Sequence, residues 1–176
     1  LQYTSINYML EKYQTKKLSM NSTALIHASS ATLVWLLGTP DMCRYNTGGY
    51  FLFDILYLFK NRKMNLLHST FIYHHLIGLY YMSLSHKRFN WFNAFGVMEL
   101  SNIPNYIVYY YLKTNPGSSH MATLKIIQKI WYCILRLGVG TVITYHELKD
   151  PSKFKTLLPV IPLYILSLIW AGAILK

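Results

Sequence analysis

The chain alternates between long apolar runs and short connectors that are rich in lysine and arginine. Read by hydropathy, this pattern predicts helical segments at about 21–38, 48–59, 65–85, 91–112, 122–145 and 155–175. A helix needs roughly 20 apolar residues to cross a bilayer, and all of these segments except 48–59 come near that length. The short segment reaches it if its helix begins nearer Asp41. We therefore expect one all-α, polytopic membrane domain over residues 21–176, with about six transmembrane helices.

The residues before the first predicted span have a different pattern. In residues 1–20, Ile6, Met9, Leu10 and Tyr13 recur at helical spacing among several lysines. Such a segment suits a short amphipathic helix that lies at the membrane surface. The alternative is that it is the end of a helix whose earlier part precedes this chain. The pattern leaves both interpretations open.

The composition supports a membrane protein, and in that setting the positive net charge is explained by lipid headgroups and topology. The chain is 53% hydrophobic and only 13% charged, against roughly 25% charged residues in soluble domains. Its net charge of +11 comes mostly from connectors such as 60–63 and 86–88, where lysine and arginine set topology and meet anionic headgroups. We therefore expect membrane lipids and not nucleic acid as partners. The side richer in these residues holds the N-terminal segment and the C-terminus, so both termini are expected in the cytosol.

The first five predicted spans each carry an ionisable site near their middle. These sites are His27, Asp54, the pair His74 and His75, Glu99, and Arg136. Placing such a group in hydrocarbon costs roughly 2.5 to 3.5 kcal/mol even on lenient insertion scales, so these side chains should face one another. The sequence thus predicts a helical barrel around a polar cavity. The alternative is a network that only fixes helix packing, and for His27 and Asp54 the two interpretations are equally supported.

Three further polar residues share helix faces with these groups. Tyr50 lies one turn before Asp54, and Asn102 and Tyr106 follow Glu99 at spacings that keep them on one face. We expect all three to line the cavity and contact a lipid there.

Two residues near the predicted cavity affect backbone geometry. Gly78, one turn after His74, leaves room for a neighbouring helix or a ligand. Pro104 lacks the backbone donor of an ordinary helical residue and frees the carbonyl of Leu100. A kink is therefore expected close to Glu99.

The histidine pair and Glu99 form the candidate catalytic set. An imidazole beside a carboxylate can act as a general base or as a nucleophile, with the carboxylate fixing its tautomer. Adjacent helical residues point about 100° apart, so either His74 or His75 should face the cavity while the other orients it or meets a neighbouring helix. Arg136 is expected to pair with Asp54 or Glu99, or to hold an anionic headgroup or a phosphate.

Metal and cofactor chemistry is the less favoured interpretation. Histidines together with Asp54 and Glu99 could bind one ion, but adjacent histidines on one helix form a poor chelate, so no metal site is predicted. The sequence contains no phosphate-binding glycine loop and no serine nucleophile elbow. We expect no bound cofactor. Cys43 and Cys133 are too few for a disulfide framework.

The same residues resemble the TLC domain, which ceramide synthases share with translocating-chain-associated membrane proteins and less-defined lipid-related proteins of the endoplasmic reticulum. The matching residues occur in the same order along the chain: Ser22 to Ala28, Gly49 to Phe51 with Asp54, His74 with His75, Glu99 with Ser101, and Arg136. The resemblance implies a six-helix barrel whose polar cavity admits a lipid chain. It also implies an endoplasmic reticulum or related endomembrane location.

The resemblance is closer to the branch of the family outside the ceramide synthases. In ceramide synthases the paired histidines and acidic residues of the next helix serve acyl transfer from acyl-CoA to a sphingoid amine. Where those enzymes have His-Asp and then a second Asp, this chain has Met98, Glu99 and Asn102.

Two functions are therefore expected as alternatives. The first is a histidine-dependent acyltransferase, in which His74 or His75 activates a lipid amine or hydroxyl or carries the acyl group, with acyl-CoA as co-substrate. The second is a non-enzymatic protein that binds or moves lipids or regulates membrane composition.

Overall fold

The computed structural model describes residues 2–61, 65–84, 91–151 and 158–175, and this part of the chain is helical without a strand. The helices are α1 (Gln2–Glu11), α2 (Lys16–Leu37), α3 (Pro40–Asn61), α4 (Leu66–Ser83), α5 (Trp91–Thr114), α6 (Met121–Tyr132), α7 (Gly140–Leu148) and α8 (Val160–Leu175). A π-helical segment, Cys133–Val139, joins α6 to α7 in one rod. The prediction of an all-α fold is confirmed for the described residues.

Two helices begin earlier than the hydropathy pattern indicates. The predicted short segment 48–59 belongs to the 22-residue α3, which begins at Pro40 and carries Asp41 in its first turn. Proline suits the first helical position and an acidic residue suits the positive end of the helix, so this start is locally favourable. Helix α2 begins at Lys16, where the side chain of Thr15 accepts a hydrogen bond from the Leu18 backbone.

Helices α2 and α5 form the most extensive pair in the bundle. At one end the Asn21 side chain donates to the Tyr106 carbonyl at 3.0 Å, and at the other the Trp35 indole donates to Asn93 at 3.0 Å. Between these contacts, the Trp35 ring lies against Gly96 so closely that a Cβ there would overlap it. The two helices are therefore antiparallel and in close contact.

Helix α5 continues through Pro104 to Thr114. The carbonyl of Leu100, which the proline leaves without its helical donor, accepts a hydrogen bond from the Trp131 indole at 3.0 Å. A side chain of α6 thereby satisfies the backbone group that the proline exposes, and the helix does not need to end there.

Helix α1 docks on α2 through polar side chains. Asn7 is buried and its side-chain oxygen accepts hydrogen bonds from Ser19 at 2.6 Å and Thr23 at 3.2 Å. Of the apolar residues in the predicted amphipathic stripe, Met9 is 56% exposed and Tyr13 is 87% exposed, whereas Ile6 packs against the buried core.

The bundle places ionisable groups inside and large aliphatic side chains outside. The buried histidine, carboxylate and arginine side chains of the described residues are His27, Asp54, His75, Glu99 and Arg136, whereas exposed aliphatic residues include Leu33, Leu36, Leu52, Leu56, Leu76, Ile126 and Ile130. Within the described ranges, one helical rod, Met121–Leu148, is long and apolar enough to cross a membrane, and Val160–Leu175 is apolar but shorter.

Candidate functional site

The site is built from two packed helix pairs and the α6–α7 rod. Helix α2 lies against α5 and α3 lies against α4. The first pair brings together His27 and Glu99, whose Nε2 and Oε1 atoms are 3.5 Å apart. The second pair brings together Asp54 and His75, whose Oδ2 and Nδ1 atoms are 3.1 Å apart. Each carboxylate thus has a histidine from the helix packed against its own.

This pairing differs from the one expected from the sequence. Glu99 was predicted to orient His74 or His75, but its close histidine is His27, and Asp54 takes the predicted place beside His75. The reason is helix packing, because Glu99 is on α5 opposite α2, while α4 packs mainly against α3. In the described part of the chain, neither His27 Nε2 nor His75 Nδ1 forms a hydrogen bond with its neighbouring carboxylate, because the geometry is not aligned. Such contacts are often loose before a ligand binds.

Aromatic rings fix both paired histidines. The His27 ring stacks on Tyr50, with centroids 4.0 Å apart and planes 9° apart. The His75 ring stacks on Phe51, with centroids 4.4 Å apart and planes 17° apart. Gly78 accommodates the Phe51 ring, since a Cβ at this glycine would overlap it. The space predicted beside Gly78 is therefore filled by a side chain of α3.

Tyr3 of α1 completes the environment of His27, and no sequence motif indicated this role. Its hydroxyl donates to the Asn46 side-chain oxygen at 2.5 Å and lies 3.3 Å from His27 Nδ1. Burial raises the pKa of the Tyr3 hydroxyl, so the group stays protonated. With its proton directed to Asn46, the Tyr3 oxygen accepts from the Nδ1–H of His27. That tautomer leaves Nε2 facing Glu99 Oε1, which lies 3.5 Å away.

His74 is in a different state from His75. It is half-buried, its ring centroid lies 5.4 Å from that of His75, and its side chain makes no hydrogen bond within the described ranges. The neighbouring His75 is buried, stacked and close to a carboxylate. His74 is therefore the histidine of the pair whose nitrogens remain available to a ligand.

The π-helical turn places Arg136 beside the histidines from the opposite side. This side chain is only 3% exposed. Its Nε donates to the Ser167 hydroxyl at 3.2 Å, and its Nη1 donates to the Ser101 hydroxyl at 3.1 Å. Nη1 also lies within hydrogen-bond distance of the Met98 carbonyl and the Asn102 side-chain oxygen, at 3.2 and 3.4 Å.

Arg136 forms no direct ion pair with a carboxylate in the part of the chain that the structure describes. None of the ion pairs there includes Arg136, so the predicted pairing with Asp54 or Glu99 does not occur. Among the described residues, the oxygens that accept hydrogen bonds from Arg136 are all neutral. Its Nε and Nη1 atoms donate these bonds, and its Nη2 atom donates to none of these oxygens. A buried guanidinium that has no carboxylate partner attracts an anionic group.

These side chains enclose one polar chamber of about 80 Å³. Its lining comprises Tyr50, Phe71, His74, His75, Glu99, Asn102, Tyr106, Arg136 and Trp170. Seven of the nine residues predicted to form the site line it, and the other two, His27 and Asp54, lie behind it as partners of Glu99 and His75. Phe71 and Trp170 were not predicted, because aromatic residues are common throughout apolar helices.

The chamber adjoins two other spaces. An apolar pocket of about 80 Å³ between α4, α5, the π segment and α8 shares His74, Arg136 and Trp170 with it. A wider, open pocket of about 420 Å³ shares Tyr50 and His75 and has Lys17 at its rim. The polar chamber therefore adjoins an apolar space and a wider, open pocket.

Among the described residues, no three His, Cys, Asp or Glu side chains are grouped so that they could hold a metal ion. The chain matches no protein-family model, no curated protein and no solved structure.

Proposed function

We propose that this chain is a multi-pass membrane protein of the TLC type that transfers an acyl group from acyl-CoA to a lipid amine or hydroxyl. The proposed location is the endoplasmic reticulum or a related endomembrane, with both termini cytosolic. The observation that carries the chemistry is that His74, which has no hydrogen bond in the described chain, shares one chamber with Arg136.

The distribution of side chains supports the proposed membrane setting. Aliphatic residues such as Leu33, Leu52 and Leu76 are each more than half exposed, while Glu99 and Arg136 are buried. A soluble protein rarely exposes so much aliphatic surface, and ionisable groups in membrane helices face the interior. Helices α2 and α3 have 22 residues each, about 33 Å at 1.5 Å per residue, which suits the thickness of a hydrocarbon core.

In the proposed reaction, His74 acts as the general base. It takes the proton from the acceptor amine or hydroxyl as that group attacks the thioester carbonyl carbon. A C–N or C–O bond forms, the C–S bond breaks, and the proton passes from His74 to the departing thiolate of CoA. His75, held by Phe51 and Asp54, fixes the position of its neighbour on α4.

Arg136 is suited to stabilise negative charge during this reaction. Its positive charge faces the chamber, and the two serines hold the guanidinium in place. A fixed donor in a site with little water stabilises a developing oxyanion more than solvent does. The adjoining apolar pocket is proposed to hold part of the acyl chain.

A product screen tests the proposal. Purified protein in detergent is incubated with a labelled acyl-CoA and an extract of membrane lipids, and new acyl lipids are identified by mass spectrometry. We expect a labelled product from the wild type and from the control His120→Ala, whose histidine lies at an exposed position before α6. Absence of any acylated product from the wild type would refute the enzymatic proposal.

The alternative is a protein that binds a lipid without converting it, and the state of Arg136 favours it specifically. The buried guanidinium of Arg136, which donates to neutral oxygens, can bind an anionic headgroup without catalysing a reaction. Lipid analysis of the purified protein separates the two functions, because a stably bound lipid without acyl transfer supports binding alone.

A further inference from the structure

A second polar groove lies between α1, the start of α2 and the end of α3. It has a volume of about 480 Å³, and its lining includes Tyr8, Glu11, Lys16, Tyr57 and Lys60. It shares no lining residue with the chamber around His74. It shares Tyr57 with the wider, open pocket but has its own charged side chains, so its ligand can be tested independently of acyl transfer in the chamber.

Partly buried hydrogen bonds hold the carboxylate of Glu11 in the groove. The Asn7 amide donates to Glu11 Oε1 at 2.8 Å, and the Tyr57 hydroxyl lies 3.5 Å from the same oxygen. Asn7 is itself 5% exposed and is anchored by the hydroxyls of Ser19 and Thr23. Among the described residues no hydrogen bond uses Glu11 Oε2, so that oxygen can accept from a ligand.

Two cations share the groove with this carboxylate. Lys16 is the first residue of α2 and Lys60 lies in the last turn of α3, and both are exposed. Neither forms an ion pair with Glu11 or with any other carboxylate in the ranges that the structure covers. The groove thus presents one oriented negative group and two free positive groups that do not neutralise one another.

We propose that this groove binds a phosphate ester that carries a primary ammonium, the chemistry of a phosphoethanolamine group. The ammonium donates to Glu11, and the phosphate oxygens accept from Lys16 and Lys60. A quaternary ammonium suits the groove less well because it has no hydrogen to donate. The ring of Tyr8, which could otherwise attract such a group, already has Lys12 Nζ 5.2 Å from its centroid.

A binding measurement on the whole chain tests this site. The protein is purified in phospholipid-free non-ionic detergent and titrated with dihexanoyl phosphatidylethanolamine, phosphatidylcholine and phosphatidylglycerol, and with free phosphorylethanolamine. We expect the ethanolamine lipid to bind about tenfold more tightly than the other two lipids, which corresponds to one additional charge-assisted hydrogen bond. Equal affinity for the three lipids would overturn the proposal.

Variants assign the binding to the groove. Lys16→Ala/Lys60→Ala should weaken binding of the ethanolamine lipid about tenfold or more, since each lysine contributes a charged hydrogen bond. The matched control Lys113→Ala/Lys125→Ala removes two exposed lysines elsewhere and should leave the affinity unchanged. Equal losses in both double variants, or no loss in the groove variant, would contradict the site.

The Glu11→Gln variant tests the role of the carboxylate independently of the two lysines. It should remove the preference for ethanolamine over glycerol while keeping the phosphate contacts, and an unchanged preference would contradict the role of the carboxylate. Free phosphorylethanolamine that binds as tightly as the lipid identifies a soluble ligand, whereas binding of the lipid alone identifies a membrane headgroup. Both of these results support the proposed chemistry.

Discussion

Asp54 Oδ2 lies 3.1 Å from His75 Nδ1 in the interior of the bundle. This relationship gives the adjacent histidines of α4 different roles, because His75 is held by a carboxylate and a stacked ring while His74 is not. A positioned histidine next to an available one is the feature on which the proposed chemistry depends.

Replacing the carboxylate should affect activity more than folding. Asp54→Asn keeps the size of the side chain but removes the negative charge beside His75, so the ring loses its orienting partner. If acyl transfer is observed, we expect its kcat to fall about ten- to a hundredfold, corresponding to roughly 1.4 to 2.7 kcal/mol in the barrier. The control is Asp41→Asn, whose carboxylate pairs with Arg44 at an exposed position. Equal rates for both variants would show that Asp54 does not position His75.

The contact between α3 and α4 can be tested through Gly78. A methyl group at this position would overlap the Phe51 ring. Gly78→Ala should therefore lower the thermal unfolding temperature, since overpacking costs roughly 1 to 3 kcal/mol and exceeds the helix propensity gained. Gly172→Ala is the matched control, because no atom lies within 4 Å of its added Cβ. Equal unfolding temperatures for the two variants would mean that the ring is not seated on Gly78.

The hydroxyl of Tyr3 should stabilise the fold through His27. Tyr3→Phe leaves His27 Nδ1 without its acceptor in a site where His27 is 1% exposed. We expect the free energy of unfolding to fall by about 1 to 3 kcal/mol, measured by chemical denaturation in detergent. Tyr8→Phe, at a residue that is 65% exposed, serves as the control and should change stability little. A loss in the control as large as that of Tyr3→Phe would contradict the role of this hydrogen bond.

Arg136 should retain anionic lipid in the purified protein. Arg136→Gln removes the charge, and Arg136→Lys keeps it but cannot donate to both serines in the fixed geometry of a guanidinium. We expect less bound anionic lipid by native mass spectrometry in both variants than in the wild type. Lys129→Gln removes a charge from the same rod, where Lys129 donates to the Leu175 carbonyl, and should retain the lipid. If Arg136→Gln retained as much anionic lipid as the wild type, Arg136 would not be the residue that binds the anionic headgroup.

Sequence reasoning located the site residues because of one physical constraint. An ionisable group in an apolar helix is costly unless it faces other polar groups, so Asp54, Glu99 and Arg136 were expected to point inward, and they are buried. The choice of partners could not be read in the same way. It depends on which helices are neighbours, and Glu99 meets His27 because α5 packs on α2.

Other features left no usable signal in the sequence. Tyr3 and Ser167 are ordinary residues until α1 and α8 bring them to His27 and Arg136. The π-helical turn at Cys133–Val139 has no distinctive composition, although it determines where Arg136 lies. The apolar run placed the start of α3 at residue 48, because Asp41, Arg44 and Asn46 interrupt the hydropathy before it, and the start nearer Asp41 that a full span requires is the one the structure has.

The most direct test compares His74→Ala with the wild type in one acyl-transfer assay. Each protein is incubated with the same labelled acyl-CoA and membrane lipids, and the rate of label incorporation into lipid is measured. The proposed chemistry predicts incorporation by the wild type and a loss of about a hundredfold or more in His74→Ala, the usual contribution of a general base. Equal incorporation by the two proteins would contradict the account.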